Sequence, residues 1–209
     1  MADRARQRRQ VEADIERAAL RLFAERTLDD VTVDEIAAAA GVSTRTFFRY
    51  FPFKIDVVLA YYRRRQMQVL EALAGRPPHE PPFSALKNAL LTVIPEGGDD
   101  DPELARLRQR VRAQIPGWAM GSAGATAREE IVHLVALRLG VDPTTDVRPV
   151  VFVDSAVAAA NAAHDLWLAG GCEGDVTTIA AEALDTLEVG FHAVSAEVRR
   201  HGSWQARSV

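Results

Sequence analysis

The sequence predicts an all-α protein. Apolar residues recur at intervals of three and four along most of the 209 residues, which is the period of one face of an α-helix. Stretches rich in proline and glycine separate these segments, and no segment alternates convincingly between apolar and polar residues as a half-buried strand does. The one strand candidate is VVFV at 150–153, and its helical surroundings favour a buried helical turn.

The first two predicted helices have clear boundaries. The first ends near Arg26 and has its apolar residues at helical spacing: Val11, Ile15, Ala18, Ala19, Leu22 and Phe23. The second begins at a capping box, in which the Thr32 hydroxyl and the Glu35 carboxylate satisfy each other's free amides. Gly41 supplies the positive φ that ends this two-turn helix.

The third predicted helix has two different faces. Ser43 can cap its start, and it ends before Pro52, because the residue before a proline disfavours the helical region. Phe47 and Phe51 lie four residues apart and can fill the core with Val42. A different face carries two further pairs: Thr44 with Phe48, and Arg45 with Arg49. We therefore expect one aromatic face for the protein and one Thr/Arg/Phe face for a partner.

The remaining helices follow a long fourth one, which is predicted from Lys54 to about Ala74. The sequence GRPPHEPP at 75–82 then interrupts the chain with four prolines and a glycine. Further helices are predicted near 83–94, 102–115, 124–139, 147–169 and 175–199.

The second and third predicted helices have helix-turn-helix geometry: they are joined by a four-residue turn with glycine, and the third begins with polar residues. In this geometry the second helix of the pair lies in the DNA major groove. The motif is specific: TVDEIA at 32–37, GVS at 41–43, Thr46, Phe47, RYFP at 49–52 and Lys54. It resembles the N-terminal domain of the TetR family of one-component transcriptional repressors. The resemblance covers roughly residues 10–60 motif by motif, and the rest of the chain only in length and helix count.

The resemblance implies a helix-turn-helix DNA-binding domain at 1–60 and a helical effector-binding and dimerisation domain at 61–209. It implies that Thr44 and Arg45 face base edges, and that Tyr50, Lys54 and Thr32 bind phosphates. The candidate DNA-binding residues are Thr32, Ser43, Thr44, Arg45, Phe48, Arg49, Tyr50 and Lys54. A solvated helix face or a helix cap is the alternative for each. Phe48 stands where the family commonly has tyrosine, and Phe53 replaces the usual serine cap of the fourth helix.

Charge and cysteine content restrict the other classes of function. Residues 1–65 hold 13 Lys and Arg against 10 Asp and Glu, whereas the remainder holds 12 against 19. Arg4, Arg6, Arg8 and Arg9 form a basic arm that could track a polyanion or could only aid solubility. A single cysteine, five histidines without metal-ligand spacing, and the lack of a signal peptide or membrane span predict a cytoplasmic protein without metal or cofactor.

The predicted C-terminal helices fit the effector binding and dimerisation that the resemblance implies. The 147–169 helix carries small residues at Ala156, Ala159, Ala160 and Ala163. The last helix has one apolar stripe: Ile179, Ala183, Leu187, Phe191, Val194 and Val198. Both features suit a dimer interface, and an intrachain core explains either stripe alone equally well.

Candidate effector-binding residues are polar or bulky side chains set among alanines and valines: Trp118, His133, Phe152, Asn161, His164 and Trp167. A satisfied core side chain is the alternative for each of them. We therefore expect a homodimeric repressor, not an enzyme, that binds a palindromic double-stranded DNA operator and releases it when a small apolar effector binds. The alternative is an all-helical enzyme with a site at His164 and Asp165 or at His133, although no nucleophile, base and orienting group occur together.

Overall fold

The computed structural model describes residues 2–94, 102–115 and 125–200, with the side chains of all these residues except 2–5, 102 and 190–200. Every regular element in these ranges is an α-helix, which confirms the predicted fold class. The helices are α1 (Ala2–Glu25), α2 (Val33–Ala39), α3 (Thr44–Tyr50), α4 (Lys54–Ala74), α5 (Pro82–Val93), α6 (Pro102–Arg112), α7 (Ala125–Leu139), α8 (Arg148–Ala169) and α9 (Val176–Arg200). The segment VVFV lies within α8.

The described chain forms two compact units. One contains α1, α2, α3, the part of α4 that ends at Met67, and α6; the other contains the rest of α4, α5, α7 from Arg128 onward, α8 and α9. These units do not follow the predicted division at 1–60 and 61–209, because α6 clusters with the N-terminal helices. That division stays a prediction about where the functions lie.

The core of the first unit is built around the aromatic face of α3. Phe47 is fully buried and Phe51 is 6% exposed, and their ring centroids lie 5.8 Å apart. Half-buried Val42 packs against the same cluster, as the spacing predicts. Burying one aromatic ring on this seven-residue helix and another on its C-cap residue anchors the helix, because most of the stability of a short helix comes from packing of its apolar face.

Helix α6 is fastened to α1 by polar contacts. The Arg108 guanidinium donates to the Glu16 carboxylate at 2.8 Å, and both residues are only 7% exposed. The Gln114 side chain, just after α6, donates to the Phe23 carbonyl at 2.9 Å and accepts from the Leu28 amide at 3.0 Å. It therefore satisfies one carbonyl in the last turn of α1 and one amide in the loop that follows.

In the second unit, α9 packs along α8 and α5. Its buried line is Val176, Ala180 and Leu184, whereas the predicted stripe residues Ile179, Ala183 and Leu187 are half-buried beside it. The side chains of Phe191, Val194 and Val198 lie outside the described residues. In α8, Ala156 and Ala163 are buried within the chain, and Ala159 and Ala160 are half-buried.

Candidate nucleic-acid interface

Two helix caps and one glycine set the geometry of the α2–α3 turn. The Thr32 hydroxyl accepts a hydrogen bond from the Glu35 amide at 3.3 Å, and Glu35 accepts one from the Thr32 amide at 2.8 Å, which confirms the capping box. Gly41 has φ +68°, in the left-handed region that favours glycine. The Ser43 hydroxyl then accepts from the Thr46 amide at 3.1 Å and caps α3. The turn is therefore fixed at three positions.

The solvent face of α3 presents cationic and aromatic side chains. Arg45 and Arg49 are exposed, and Phe48 is 50% exposed although its ring also meets Phe47 edge-on at 5.6 Å between centroids. Half-buried Thr44 donates its hydroxyl to the Asp34 carboxylate at 2.6 Å. The structure thus brings Arg45, Phe48 and Arg49 onto one exposed surface, while Thr44 connects α3 to α2.

Tyr50 ends α3 beside the first helix. The guanidinium carbon of Arg49 lies 5.1 Å from the centroid of the Tyr50 ring, and that of Arg8 in α1 lies 5.7 Å from it. An open cavity of about 470 Å³ is lined by Gln7, Arg8, Val11, Arg49 and Tyr50. Two cations therefore lie against one aromatic ring, within the range at which the negative face of a ring attracts them.

Lys54 has partners within the protein. Its ammonium group donates to the backbone carbonyls of Asp29 and Val31, both at 3.1 Å, and thereby joins the start of α4 to the loop before α2. The side chain of exposed Phe53 cannot cap α4, because a phenyl ring has no hydrogen-bond acceptor of that kind. The Phe53 amide instead donates to the Asp56 carboxylate at 3.1 Å. The phosphate contact expected of Lys54 stays a prediction.

Glu35 is a fixed negative charge at the start of α2. Hydrogen bonds from the Thr32 backbone and side chain, and then from Arg26, hold the pKa of Glu35 at about 2, below its ordinary value of 4.5. The Thr32 hydroxyl also donates to this carboxylate at 2.8 Å, and Arg26 lies 2.9 Å from its other oxygen. Thr32 is exposed, but any phosphate that it binds must share the amide end of α2 with Glu35.

The sequence does not reveal three of these contacts. Arg8 meets Tyr50 across 42 positions in the chain, Thr44 meets Asp34 across a turn, and Lys54 binds carbonyls more than 20 positions earlier. Only the basic arm that contains Arg8 is visible in the sequence. Its contact with Tyr50 depends on how α1 packs, which local patterns do not encode.

The candidate effector residues that the structure describes lie on α7 and α8. His133 is exposed on α7, whereas Phe152 is 1% exposed and meets Phe83 edge-on at 5.6 Å between centroids. His164 and Trp167 are brought together, with ring centroids 5.9 Å apart, and the Trp167 indole donates to the Gly174 carbonyl at 3.1 Å. Asn161 is half-buried, and Trp118 lies outside the described residues. Their roles toward an effector stay predictions.

Two negative findings apply to the described part of the chain. None of its helices combines the length and the apolar character needed to cross a membrane. Within the same residues, no group of three or more His, Cys, Asp or Glu side chains is arranged to hold a metal ion.

Comparison with known proteins gives a consistent result. Residues 15–61 match the family described as bacterial regulatory proteins, tetR family, and residues 80–192 match the MftR C-terminal domain. The HTH-type transcriptional regulator TcmR of Streptomyces glaucescens is 30% identical over 196 residues, which cover 88% of this chain and 85% of TcmR. MftR of Mycobacterium tuberculosis, a transcriptional regulator named for mycofactocin biosynthesis, is 32% identical over 155 residues, covering 72% of this chain and 76% of MftR.

The fold is also that of a solved regulator. A tetR-family transcriptional regulator from Streptomyces coelicolor superposes with a TM-score of 0.52 at 20% identity, covering 90% of this chain and 83% of that one. These relatives are regulators, and they give no support to the alternative of an all-helical enzyme. The match of the helix-turn-helix segment, the match of the C-terminal half and the identity to TcmR together show that this chain belongs to the TetR family and is a transcriptional regulator.

Proposed function

We propose that this regulator is a homodimeric repressor that binds a palindromic operator through α3 and releases it when a small, largely apolar molecule binds the C-terminal half of the chain. The observation that carries the proposal is the exposed Arg45, Phe48 and Arg49 surface on a short helix whose other face is buried in the core. A surface of this kind needs a partner that offers both hydrogen-bond acceptors and apolar groups, and the major groove offers both.

In the proposed complex, the residues of α3 have different tasks. Arg45 lies in the first turn, where its guanidinium can donate two hydrogen bonds to O6 and N7 of a guanine. Phe48 contacts a thymine methyl group, which suits an aromatic ring that is 50% exposed before binding. Thr44 faces base edges at its end of the helix, and Ser43 caps the helix close to the DNA. The hydrogen bond from Thr44 to Asp34 favours a positioning role for its hydroxyl in the free protein.

The phosphate contacts are proposed at the Arg49 end of this surface and on neighbouring elements. Arg49 and Tyr50, at the end of α3, bind phosphate oxygens of the DNA. Thr32 and Lys54, near the starts of α2 and α4, bind further phosphates of the DNA backbone. The two carbonyls that hold the Lys54 ammonium use part of its hydrogen-bonding capacity. Its positive charge still acts on a phosphate nearby, because phosphate binding by lysine is mainly that of a point charge.

Dimerisation is supported by apolar residues left exposed on α8. Val151 is 40% exposed and Leu166 is 64% exposed, and the exposed Ala158 and Ala162 lie between them at helical spacing. A second copy of the chain is the proposed occupant of this stripe. A two-fold operator calls for a two-fold protein, since one helix-turn-helix unit reads one half-site.

The effector site is proposed in the C-terminal half of the chain, with candidate contacts on the second unit at His133, Phe152, Asn161, His164 and Trp167. Trp118, which lies outside the described residues, is a further candidate. The adjacent rings of His164 and Trp167 support this location of the site. Their faces can contact a mostly apolar ligand, and their polar edges can form hydrogen bonds with it. Binding shifts the equilibrium between two placements of the recognition helices, and coupling of this kind is typically about 1–3 kcal/mol.

The decisive experiment compares Arg45→Ala with Lys54→Ala on an operator selected from a random DNA pool. We expect Arg45→Ala to cost about 1–3 kcal/mol per half-site and to relax preference at one base position. Lys54→Ala should weaken operator and random DNA alike and reduce the salt slope by about one per contact removed. Equal losses on operator and random DNA for Arg45→Ala would show that Arg45 binds phosphate and would overturn the assigned base-reading surface.

Two further measurements test the assembly and the effector. Sedimentation at micromolar concentration should give a dimer mass, and a strictly monomeric mass would contradict the proposal. An apolar or aromatic ligand should quench tryptophan fluorescence and weaken operator binding together. Quenching by a ligand that leaves operator affinity unchanged would show that the site is not coupled to DNA.

A further inference from the structure

The cavity between α1 and α3 has the chemistry of an anion site. Its lining combines the guanidinium groups of Arg8 and Arg49, the Tyr50 ring with its hydroxyl, and the Gln7 amide. We propose that this cluster, the Arg8 site, binds one DNA backbone phosphate, so that the first helix contributes directly to the operator interface. The inference rests on the proposed function and adds to it a contact outside the helix-turn-helix motif.

The arrangement of charge favours an anionic occupant. Two guanidinium groups lie within 6 Å of the same ring centroid, although like charges repel. One carboxylate is close: Glu12 accepts from Nε of Arg8 at 3.0 Å. Among the described residues, the terminal nitrogens of Arg8 make no hydrogen bond. They are therefore available to a phosphate, with which guanidinium groups form bidentate hydrogen bonds.

The ring of Tyr50 orients the two cations. Stacking of a guanidinium group on an aromatic face restricts the rotation of the guanidinium. Less conformational freedom is therefore lost when the guanidinium binds a ligand. The pair of residues Arg49 and Tyr50 brings the end of the recognition helix into the site. A phosphate bound there is consequently held by two helices, not by one.

Helix α1 is held in place beneath the site. Val11 lines the cavity and also packs against the core cluster of the first unit, whose fully buried members include Ile15 one turn later. Arg8 is exposed and lies one turn before Val11 on the same face. Its position is therefore fixed by the core, whereas neither Arg6 nor Arg9, the other arginines of the basic arm with described side chains, lies over the Tyr50 ring.

The first test compares Arg8→Ala with Arg9→Ala in the full-length dimer. Arg9 is the matched control, since it is an exposed arginine on the next position of the same helix. For Arg8→Ala we expect the slope of log K against log salt to fall by about two per dimer, because two phosphate contacts are lost. Arg9→Ala should leave the slope within error of the wild type. Equal effects of the two variants would overturn the proposal.

The second test locates the phosphate. Operators are made with a single neutral methylphosphonate at successive backbone positions. At one position in each half-site, the methylphosphonate should weaken operator binding by the wild-type protein. The same methylphosphonate should not weaken binding by the Arg8→Ala protein any further. If Arg8→Ala and the methylphosphonate act additively at every position, the Arg8 site does not bind a backbone phosphate.

A free anion could use the same chemistry, and inorganic phosphate serves as the probe. Inorganic phosphate should inhibit operator binding no more than chloride at equal ionic strength. Selective inhibition by phosphate that Arg8→Ala abolishes, with an unchanged salt slope, would assign the site to a free anion and overturn the proposal. If the wild type and the Arg9→Ala protein bind no DNA at all, the proposed function itself fails, and this outcome is distinct from a normal salt slope in Arg8→Ala.

Discussion

Replacing Arg108 by methionine should lower the free energy of unfolding by about 3–5 kcal/mol. The guanidinium of Arg108 lies 2.8 Å from the Glu16 carboxylate, and both residues are 7% exposed. At an effective dielectric constant of about 20, their attraction is about 6 kcal/mol, most of which offsets the cost of removing both charges from water. Methionine replaces the apolar stem of the arginine side chain but cannot pair with Glu16, which is left buried without this partner.

Two neighbours modify the magnitude. Arg64 lies 3.8 Å from the other Glu16 oxygen and can take over part of the pairing, which favours the lower end of the range. Against this, the variant also loses the contact of the Arg108 guanidinium with the Tyr61 ring, whose centroid is 4.0 Å away. Such a contact contributes about 0.5–2 kcal/mol.

The assay is urea denaturation followed by circular dichroism at one fixed protein concentration. Arg110→Met, which removes an exposed charge from the same helix, should change the free energy by no more than about 0.5 kcal/mol. Combining Arg108→Met with Glu16→Leu should recover most of the loss, because apolar residues can replace a buried ion pair at little cost. A loss below about 1 kcal/mol in the single variant, or strict additivity in the double variant, would refute the reasoning.

Three further predictions concern the α2–α3 region. Gly41→Ala should destabilise by about 1–2 kcal/mol in thermal or urea unfolding, because φ is +68° there; no loss would show that the turn has relaxed. Ser43→Ala should cost about 1 kcal/mol, with Ser43→Thr as the control that retains the cap; equal losses in both variants would argue against capping. The stabilisation by Glu35 should be complete above about pH 4.5 and lost as pH falls toward 2, because its pKa is lowered in the folded state. An NMR titration of Glu35 checks this, and a midpoint near its ordinary pKa would contradict it.

Features that depend on neighbouring residues could be predicted from the sequence. The capping box needs only residues 32 and 35, the left-handed turn needs only Gly41, and the buried face of α3 needs only Phe47 and Phe51 four positions apart. Each signal lies within one turn of helix. The boundaries of the helices and the exposed surface of α3 follow from such signals.

Features that depend on packing between distant segments could not be predicted in this way. The bond between Arg108 and Glu16 joins positions 92 apart, and no periodicity indicates it. Two neighbouring lines of apolar residues run along α9. One passes through Ile179, the other passes through Val176, and both have helical spacing. The chain buries the second line and half-buries the first, because the positions of α5 and α8 decide between them.

The membership of α6 in the first unit has a consequence for synthesis on the ribosome. The core around Phe47 includes Val111 and Ile115, which are made long after the helix-turn-helix segment. At roughly 5–20 residues per second, residues 61–115 take about 3–11 seconds to add. Until that segment has been added, a nascent chain has the sequence of its complete recognition helix, but it lacks Val111, Ile115 and the guanidinium that pairs with Glu16. The N-terminal unit can therefore reach its final packing only after more than half of the polypeptide has been translated.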